Sequence, residues 1–477
     1  MPRTDDALTR WQSIEALSEE AVPLIGRLFR ERGVVTLVYN QPLMHRSPAQ
    51  VVKAHRYVER VEEGGLSLDD TVPLLRAMVD MQLISTRIDL GKLGVMYRKA
   101  GHPDATAFVQ EHLKDAVGDT PERAPQDVVL YGFGRIGRLV ARLLVERTGN
   151  TQGMRLSGIV VRKPKVPDLE KRAELLRRDS VHGRFWGMVD VLEDDNAICA
   201  NGHHAKVIYA GHPSEVDYTA HGIDNAIICD NTGIWRDEDG LRGHLSAKGA
   251  KKVLLTAPGK GDVKNIVYGV NDGIIDDGDD VLSAASCTTN AITPVLKSLH
   301  ETFGIVGGHI ESVHSYTNDQ NLIDNFHKSD RRGRAAALNM VLTSTGAAKA
   351  VAKAYPDLAG KLSGNAIRVP TPNVSMAILM LELSQDVTVD TLNDHLRNAS
   401  LHSSLQKQIG FSASDEIASS DIVGARFTGI VDSKATIADG KRAVVYVWYD
   451  NEFGYSMQVV RLLQKMAGIH YDTFPKE

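Results

Sequence analysis

The chain has 477 residues, 43% of them hydrophobic and 24% charged, with a formal net charge of −5. That length predicts two or three domains, and the apolar content excludes a disordered chain. The negative balance gives no global electrostatic reason to expect nucleic acid or an anionic membrane as a partner. Three cysteines (Cys199, Cys229, Cys287) without paired spacing argue against a disulfide framework and for a reducing compartment. No stretch reads as a membrane span or an export signal, so a cytoplasmic location without a membrane partner is expected.

Residues 1 to about 115 read as helices. Apolar positions such as Val22, Ile25, Leu28 and Phe29, or Leu74, Leu75, Met78 and Leu83, recur at three- and four-residue spacing among charges. Residues 34–40 are ambiguous between a short strand and a buried helix. Arg87, Asp89 and Lys92 read as a solvated or interface face rather than a ligand site. Residues 117–125 concentrate breakers and charges, which predicts a linker with a domain boundary near residue 124. No catalytic constellation shows in this extension.

Residues 127–131 then give a short apolar strand that feeds Gly132-Phe133-Gly134-Arg135-Ile136-Gly137, with Leu139, Val140, Leu143 and Leu144 marking a helix. In that setting GxGxxG lets backbone approach a pyrophosphate resting on a helix N-terminus, and Gly132, Gly134, Arg135, Ile136 and Gly137 become candidate cofactor residues. The next strand, 156–161, ends in Arg162-Lys163 instead of the carboxylate that receives a ribose hydroxyl. Both are candidates for holding a 2′-phosphate. Strands at 226–230 and 252–256 continue the alternation with helices and imply a parallel sheet. Cys199 and Cys229 read as inert.

After residues 281–285, Ser286-Cys287-Thr288-Thr289-Asn290 leads into a helix marked by Ile292, Val295, Leu296 and Leu299. A cysteine at a helix N-terminus meets orphan N–H groups and a positive dipole end, which favour thiolate and make Cys287 a candidate nucleophile. The alternative is a buried cysteine beside an N-cap. Downstream, His314 ends a short strand-like run and is the candidate base that would hold the thiolate as an ion pair. Longer β-like runs at 373–383 and 442–449, the latter after an Asp439-Gly440 turn signal, predict an antiparallel sheet, with helices at 393–400 and 459–467.

Five segments, ASCTTN at 285–290, HSYTNDQ at 314–320, TSTGAAKAV at 343–351, RVPTPNVS at 368–375 and WYDNEFGYS at 448–456, resemble the signature segments of phosphorylating glyceraldehyde-3-phosphate dehydrogenase. The resemblance runs from about residue 128 to the C-terminus. It implies an α/β protein, a Rossmann-type parallel-sheet domain at 125–286 plus an α+β catalytic domain at 287–450, preceded by an all-α extension and linker at 1–124. A C-terminal helix within 451–477 would pack back on the nucleotide domain. It further implies reversible phosphorylating oxidation of glyceraldehyde 3-phosphate to 1,3-bisphosphoglycerate through a Cys287 thioester, with NADP and/or NAD as cofactor, in glycolysis or gluconeogenesis, by a homotetramer. On the resemblance, Thr317, Asp319 and Arg368 line one oxyanion site, and Ser286, Thr288, Arg332, Thr345 and Gly346 the other. Thr256 lies at a cofactor loop, Asn451 would hold the nicotinamide carboxamide, Tyr455 packs nearby, and no metal is expected.

Two positions depart from the family pattern. Asn325-Phe326 stands where NAD-specific members have Leu-Pro, and Ala291 stands where many members have a second cysteine. With Arg162 and Lys163, the first departure favours NADP. Residues 324–327 also resemble erythrose-4-phosphate dehydrogenase, which keeps a longer aldose phosphate as an alternative substrate. A reading of another class is a regulatory or RNA-interacting scaffold with a vestigial site.

Overall fold

Short polar residues decide where the first helices begin. Ser47 and Ser67 each form a capping box, with Gln50 and Asp70 respectively, and Asp89 accepts the N–H of Lys92 at the start of a third helix. A computed structural model describes residues 4–147 and 153–476 of the chain, and they fall into two units. The first comprises 4–124, Gly153 and 469–476, and the second 125–147 and 154–468.

The first unit holds five helices, α1 (Thr4–Arg32), α2 (Pro48–Val61), α3 (Leu68–Val79), α4 (Leu90–Lys99) and α5 (Ala105–His112). Their apolar stripes meet in a core that includes Ile25, Leu28, Val58, Leu74, Leu75, Met78 and Leu93. The helices follow the expectation, but the extension is not all-α, because it also carries a four-stranded sheet. Its order is Gln41–Pro42, Val35–Val38, Arg87–Asp89, Thr473–Phe474. The ambiguous run at 34–40 is thus a strand, closed by a turn in which Tyr39 and Asn40 have φ of 44° and 66°, the left-handed pair of a tight hairpin. Arg87 and Asp89 belong to the next strand, where Asp89 is buried and Oδ1 accepts the N–H groups of Tyr39 and Lys92 at 3.0 and 3.2 Å. The last strand comes from the other end of the chain. It runs parallel to Arg87–Asp89, with Phe474 1% exposed and the Asp472 carbonyl accepting Arg87 N–H and the Thr86 hydroxyl at 3.0 and 2.9 Å.

The second unit contains two large sheets. In the nine-stranded one the order is 264–265, 281–283, 250–255, 226–230, 126–131, 154–161, 203–209, 197–200, 189–192, with parallel pairing except for the two antiparallel pairs made by 197–200. Strand 126–131 sits at its centre. The chain continues to 154–161 on one side and returns as 226–230 on the other, so the carboxyl ends of the central strands open at a topological switch point. Helices α6 (Arg135–Arg147), α7 (Leu169–Arg177) and α8 (Glu238–Leu245) accompany this sheet.

The eight-stranded sheet is mixed. Its order is 341–344, 362–369, 305–315, 375–383, 442–449, 429–432, 409–412, with 437–439 on the side of 442–449. Most pairs are antiparallel, as the alternation at 375–383 leads one to expect, whereas 305–315 with 362–369 and 409–412 with 429–432 run parallel. Helix α9 (Cys287–Phe303) buries Ile292, Val295, Leu296 and Leu299 with Leu379, Leu381, Val445 and Val447 of the sheet. Helices α10 (Ala347–Ala354), α11 (Val389–His402) and α12 (Phe453–Met466) complete the unit, and α12 packs along α6. No helix among the described residues is long and apolar enough to cross a membrane.

Candidate functional site

The strand 281–283 reaches α9 through a sharp turn at 284–286. Ala285 adopts φ 53°, a left-handed conformation that costs a side-chain-bearing residue roughly 1 kcal/mol. Two devices hold it there. Asn290 Nδ2 donates to the carbonyls of Ala284 and Ser286 at 2.8 and 2.9 Å, and the Tyr455 hydroxyl donates to the Ala285 carbonyl at 3.1 Å. Ser286 caps the helix by accepting Thr289 N–H at 3.1 Å, which makes Cys287 the first helical residue.

His314, near the end of strand 305–315, places Nε2 3.5 Å from Cys287 Sγ. Its Nδ1 lies 2.7 Å from the Ser315 carbonyl. A proton on Nδ1 satisfies that carbonyl and leaves the Nε2 lone pair toward sulfur, the tautomer a base requires. Parallel pairing sets Arg368 beside His314, where Nη1 donates to the Ser315 carbonyl at 2.9 Å and lies 3.0 Å from Nδ1.

Burial pushes the Cys287 thiol up, against the pull of the Arg368 charge and of the Thr288 hydroxyl and N–H. Burial, and after it the Arg368 guanidinium, drives His314 down to about 3. Both shifts favour a neutral Cys–His pair over the thiolate–imidazolium pair that the helix N-terminus alone suggests, because desolvation outweighs the dipole. Such a pair keeps the proton on sulfur until a carbonyl carbon is presented, with His314 ready to accept it.

The arginine-rich surroundings converge on this pair. Arg332 is near enough to depress the pKa of both His314 and Arg368. Its Nε and Nη2 donate to Thr343 Oγ1 at 3.2 and 3.0 Å, and Nη1 forms an ion pair with Asp319. Asp319 and Arg332, which the sequence allots to different oxyanion sites, therefore touch. Arg368 Nε is buried without a partner, a donor aimed at nothing in the protein. Thr345 Oγ1 accepts Ala347 N–H at 3.2 Å, and Gly346 precedes the first turn of α10. The Thr317 carbonyl accepts Gln320 N–H at 2.9 Å. Two of the sequence candidates face inward: Ser286 Oγ meets Thr289 Oγ1 at 2.6 Å, and Thr288 Oγ1 meets the buried Tyr449 hydroxyl at 3.0 Å. Sequence reasoning singled out neither Thr343 nor Tyr449. The TST segment and the end of a β-like run offered only their positions.

A cavity of about 380 Å³ opens at the switch point, lined among others by Gly132, Phe133, Gly134, Arg162, Arg172, Thr232 and Trp235. Its residues fit a dinucleotide. Gly132 has φ 94°, and a Cβ at Gly137 would lie 2.4 Å from the Gly132 carbonyl oxygen, so a side chain at either position would spoil the close strand-to-helix turn. Nothing stands within 4 Å of a Cβ built on Gly134, so backbone there is open to a ligand. The Arg135 guanidinium turns to Glu452 and Asp179, which leaves backbone at Arg135 and Ile136 as the anion-facing part of the helix start.

The lining holds two arginines, Arg162 and Arg172, and no carboxylate. Lys163 is exposed and does not line the cavity. Arg172, which the sequence reading overlooked, is ion-paired with Asp168, itself held by the Tyr209 hydroxyl at 2.7 Å. Thr256 Oγ1 bonds the Asp230 carbonyl and Asn231 Oδ1 at 3.0 and 3.2 Å. Asn451 does not line this cavity and is bonded instead to Ser315, the residue after His314. Its Oδ1 accepts the hydroxyls of Ser315 and Ser375, each at 2.9 Å, and its amide nitrogen takes neither bond.

Comparison with known proteins agrees with this geometry. Residues 126–238 match the family model described as the NAD binding domain of glyceraldehyde 3-phosphate dehydrogenase, and residues 286–451 match its C-terminal domain. A glyceraldehyde-3-phosphate dehydrogenase-like protein of Pseudomonas aeruginosa is 53% identical over 460 residues, 95% of this chain and 100% of that one, so the alignment takes in most of the helical extension. Glyceraldehyde-3-phosphate dehydrogenase of Streptococcus pyogenes is 40% identical over 72% of this chain and 98% of its own length. The protein of that name from Borreliella burgdorferi is 41% identical over 71% and 99%. With a glycine cradle at the switch point and a cysteine at the head of α9, the chain belongs to the glyceraldehyde-3-phosphate dehydrogenase family of NAD(P)-dependent oxidoreductases.

Proposed function

We propose that the chain catalyses reversible phosphorylating oxidation of glyceraldehyde 3-phosphate to 1,3-bisphosphoglycerate. The observation that carries this reading is Cys287 Sγ at the head of α9, 3.5 Å from His314 Nε2 and within the field of Arg368. The thiol adds to the aldehyde carbon as His314 Nε2 takes its proton, giving a thiohemiacetal. A nicotinamide, when bound, would supply the hydride acceptor for oxidation of the thiohemiacetal carbon to a thioester. Inorganic phosphate then attacks the thioester carbonyl and releases Cys287, and the acyl phosphate leaves.

Two phosphates must be held. The residues assigned to line them are Thr317, Asp319 and Arg368 at one and Ser286, Thr288, Arg332, Thr345 and Gly346 at the other. The arginines are the charged donors, the Asp319 carboxylate acts by holding Arg332, and the Ser286 and Thr288 hydroxyls would have to leave Thr289 and Tyr449 to reach an anion. The unpartnered Arg368 Nε and the fork of Arg332 suit charge-assisted bonds. For the cofactor, Gly132, Gly134, Gly137 and the backbone at Arg135 and Ile136 would receive the pyrophosphate, Thr256 stands at the loop that follows strand 250–255, and Asn451 would hold the carboxamide through the amide nitrogen that the Ser315 and Ser375 hydroxyls do not use.

We infer a preference for NADP over NAD, supported by a cavity lining that pairs Arg162 with Arg172 and lacks a carboxylate. The nucleotide half is assigned to 125–286, the chemistry to 287–450, and assembly or regulation to the extension, in a cytoplasmic homotetramer. Steady-state rates with glyceraldehyde 3-phosphate and erythrose 4-phosphate, each with NAD and NADP and with and without phosphate, test the reading. Turnover that ignores phosphate, or that favours erythrose 4-phosphate, would displace it.

A further inference from the structure

Residues 178–179 and 183–184 form a small hairpin, and Asp179 Oδ1 fixes its turn by accepting the N–H groups of Val181 and His182, each at 2.9 Å. The turn delivers His182, with a side chain 2% exposed, to the end of strand 442–449, where Nε2 lies 3.1 Å from Asp450 Oδ2. The other groups facing the imidazole are Asp179 at 3.5 Å, Glu452 at 3.8 Å, Arg135 Nη2 at 3.5 Å and Asn373 Nδ2 at 3.3 Å. The Phe453 ring stacks on it at 5.7 Å.

Asp450 is fully buried and carries more than this contact. Its Oδ1 accepts the N–H groups of Glu452 and Phe453 at 3.0 and 2.8 Å and Asn373 Nδ2 at 2.9 Å, and its Oδ2 accepts Gly424 N–H at 2.8 Å. One carboxylate thus ties the backbone that flanks Asn451 and opens α12. A buried carboxylate needs a cationic partner, and the imidazole of His182 is the one beside it.

We propose that His182 is a positioning residue for the cofactor: by anchoring Asp450 it fixes the turn that aims the Asn451 amide at the carboxamide of a bound nicotinamide. The proposal rests on the reading of Asn451 given above. Burial lowers the His182 pKa, but hydrogen bonds to Asp179 and Asp450 and the charges of Asp450 and Glu452 outweigh it and raise it to about 9. Three carboxylates face the ring against one guanidinium, Arg135, so the imidazolium persists through neutral pH.

The test uses the full-length enzyme with NAD and NADP, and with the variants His182→Ala, His182→Gln and Asn451→Ala. His182→Ala should raise the cofactor KM roughly tenfold, the value of one charge-assisted bond, with a smaller change in the aldehyde KM. His182→Gln, which keeps a donor, should recover part of that loss. In the wild type the cofactor KM should climb as pH passes about 9, a step absent from the His182 variants. An unchanged cofactor KM in His182→Ala, or a pH step that survives in both His182 variants, overturns the proposal. If His182→Ala does not fold, His182→Gln decides by the same pH step. A cofactor KM unaltered by Asn451→Ala removes both the assignment of Asn451 and this proposal. A raised KM there beside an unaltered one in the His182 variants removes this proposal alone.

Discussion

At the scale of single residues, the site depends on side chains whose neighbours come from distant parts of the chain. His314 is neutral because it is buried beside Arg368, and its worth as a base lies in the lone pair it turns to Cys287. His314→Asn should lower kcat by about 10²–10⁴-fold, the usual value of a positioned general base, while cofactor binding is retained. A kcat within threefold of wild type would take His314 out of that role. At the other end of the site, Arg162→Asp and Arg172→Gln should each lower the NADP-to-NAD ratio of kcat/KM by roughly tenfold, since one well-placed guanidinium–phosphate bond contributes about 1.5–3 kcal/mol. Ratios that stay put in both variants would mean that neither arginine reads the 2′-phosphate. Arg162 was legible at the end of its strand. Arg172 was not, because it reaches the cavity from α7, and a charge on an amphipathic helix normally points to solvent.

Short elements carry much of the architecture. The strand 473–474 is only two residues long, yet it closes the sheet of the first unit and buries Phe474. Phe474→Ala should cost about 3–5 kcal/mol of that unit's stability. Hydrogen exchange at residues 86–89 would report it, and unchanged protection there would show that the strand does not hold the sheet. The hairpin that presents His182 makes stability depend on pH. Its folded pKa of about 9 lies above the ordinary 6.5, so the folded state binds the extra proton between those values. The contribution is fully present below pH 6.5 and is lost as pH rises through about 9, an effect on the order of 3 kcal/mol at most. The Tm difference between wild type and His182→Gln should shrink across that window, and a constant difference would contradict the assignment. Strands of two to four residues leave little or no alternating pattern, which is why the sheet of the extension showed only as an ambiguous run at 34–40 while the eight- and nine-residue strands at 442–449 and 375–383 could be read.

For the whole molecule, the consequence is that the extension is built from both ends of the chain. Removal of residues 1–124 takes away the strand Arg87–Asp89 to which 473–474 is bonded, but leaves both large sheets and their cores complete. The remainder should fold, with residues 469–476 newly sensitive to limited proteolysis. Comparing its activity and assembly state with those of the full chain tests the role assigned to the extension. A remainder that does not fold would place the domain boundary elsewhere than near residue 124, and one identical to the full chain in activity, assembly and regulation would leave the extension without that role.

The family, the strand–glycine–helix cradle, the cysteine at the head of α9 and the parallel and β-rich halves could all be read along the chain. Each of these is written in contiguous residues whose local chemistry admits few alternatives. Packing between distant segments is what latches Arg332 to Asp319 and Thr343, brings Arg172 to the cavity, sets His182 on Asp450 and adds the C-terminal strand to the N-terminal sheet. It also reversed the expected charge state of the Cys287–His314 pair. Helix position is a local property that sequence displays, whereas desolvation depends on everything packed around the pair, which no local pattern records.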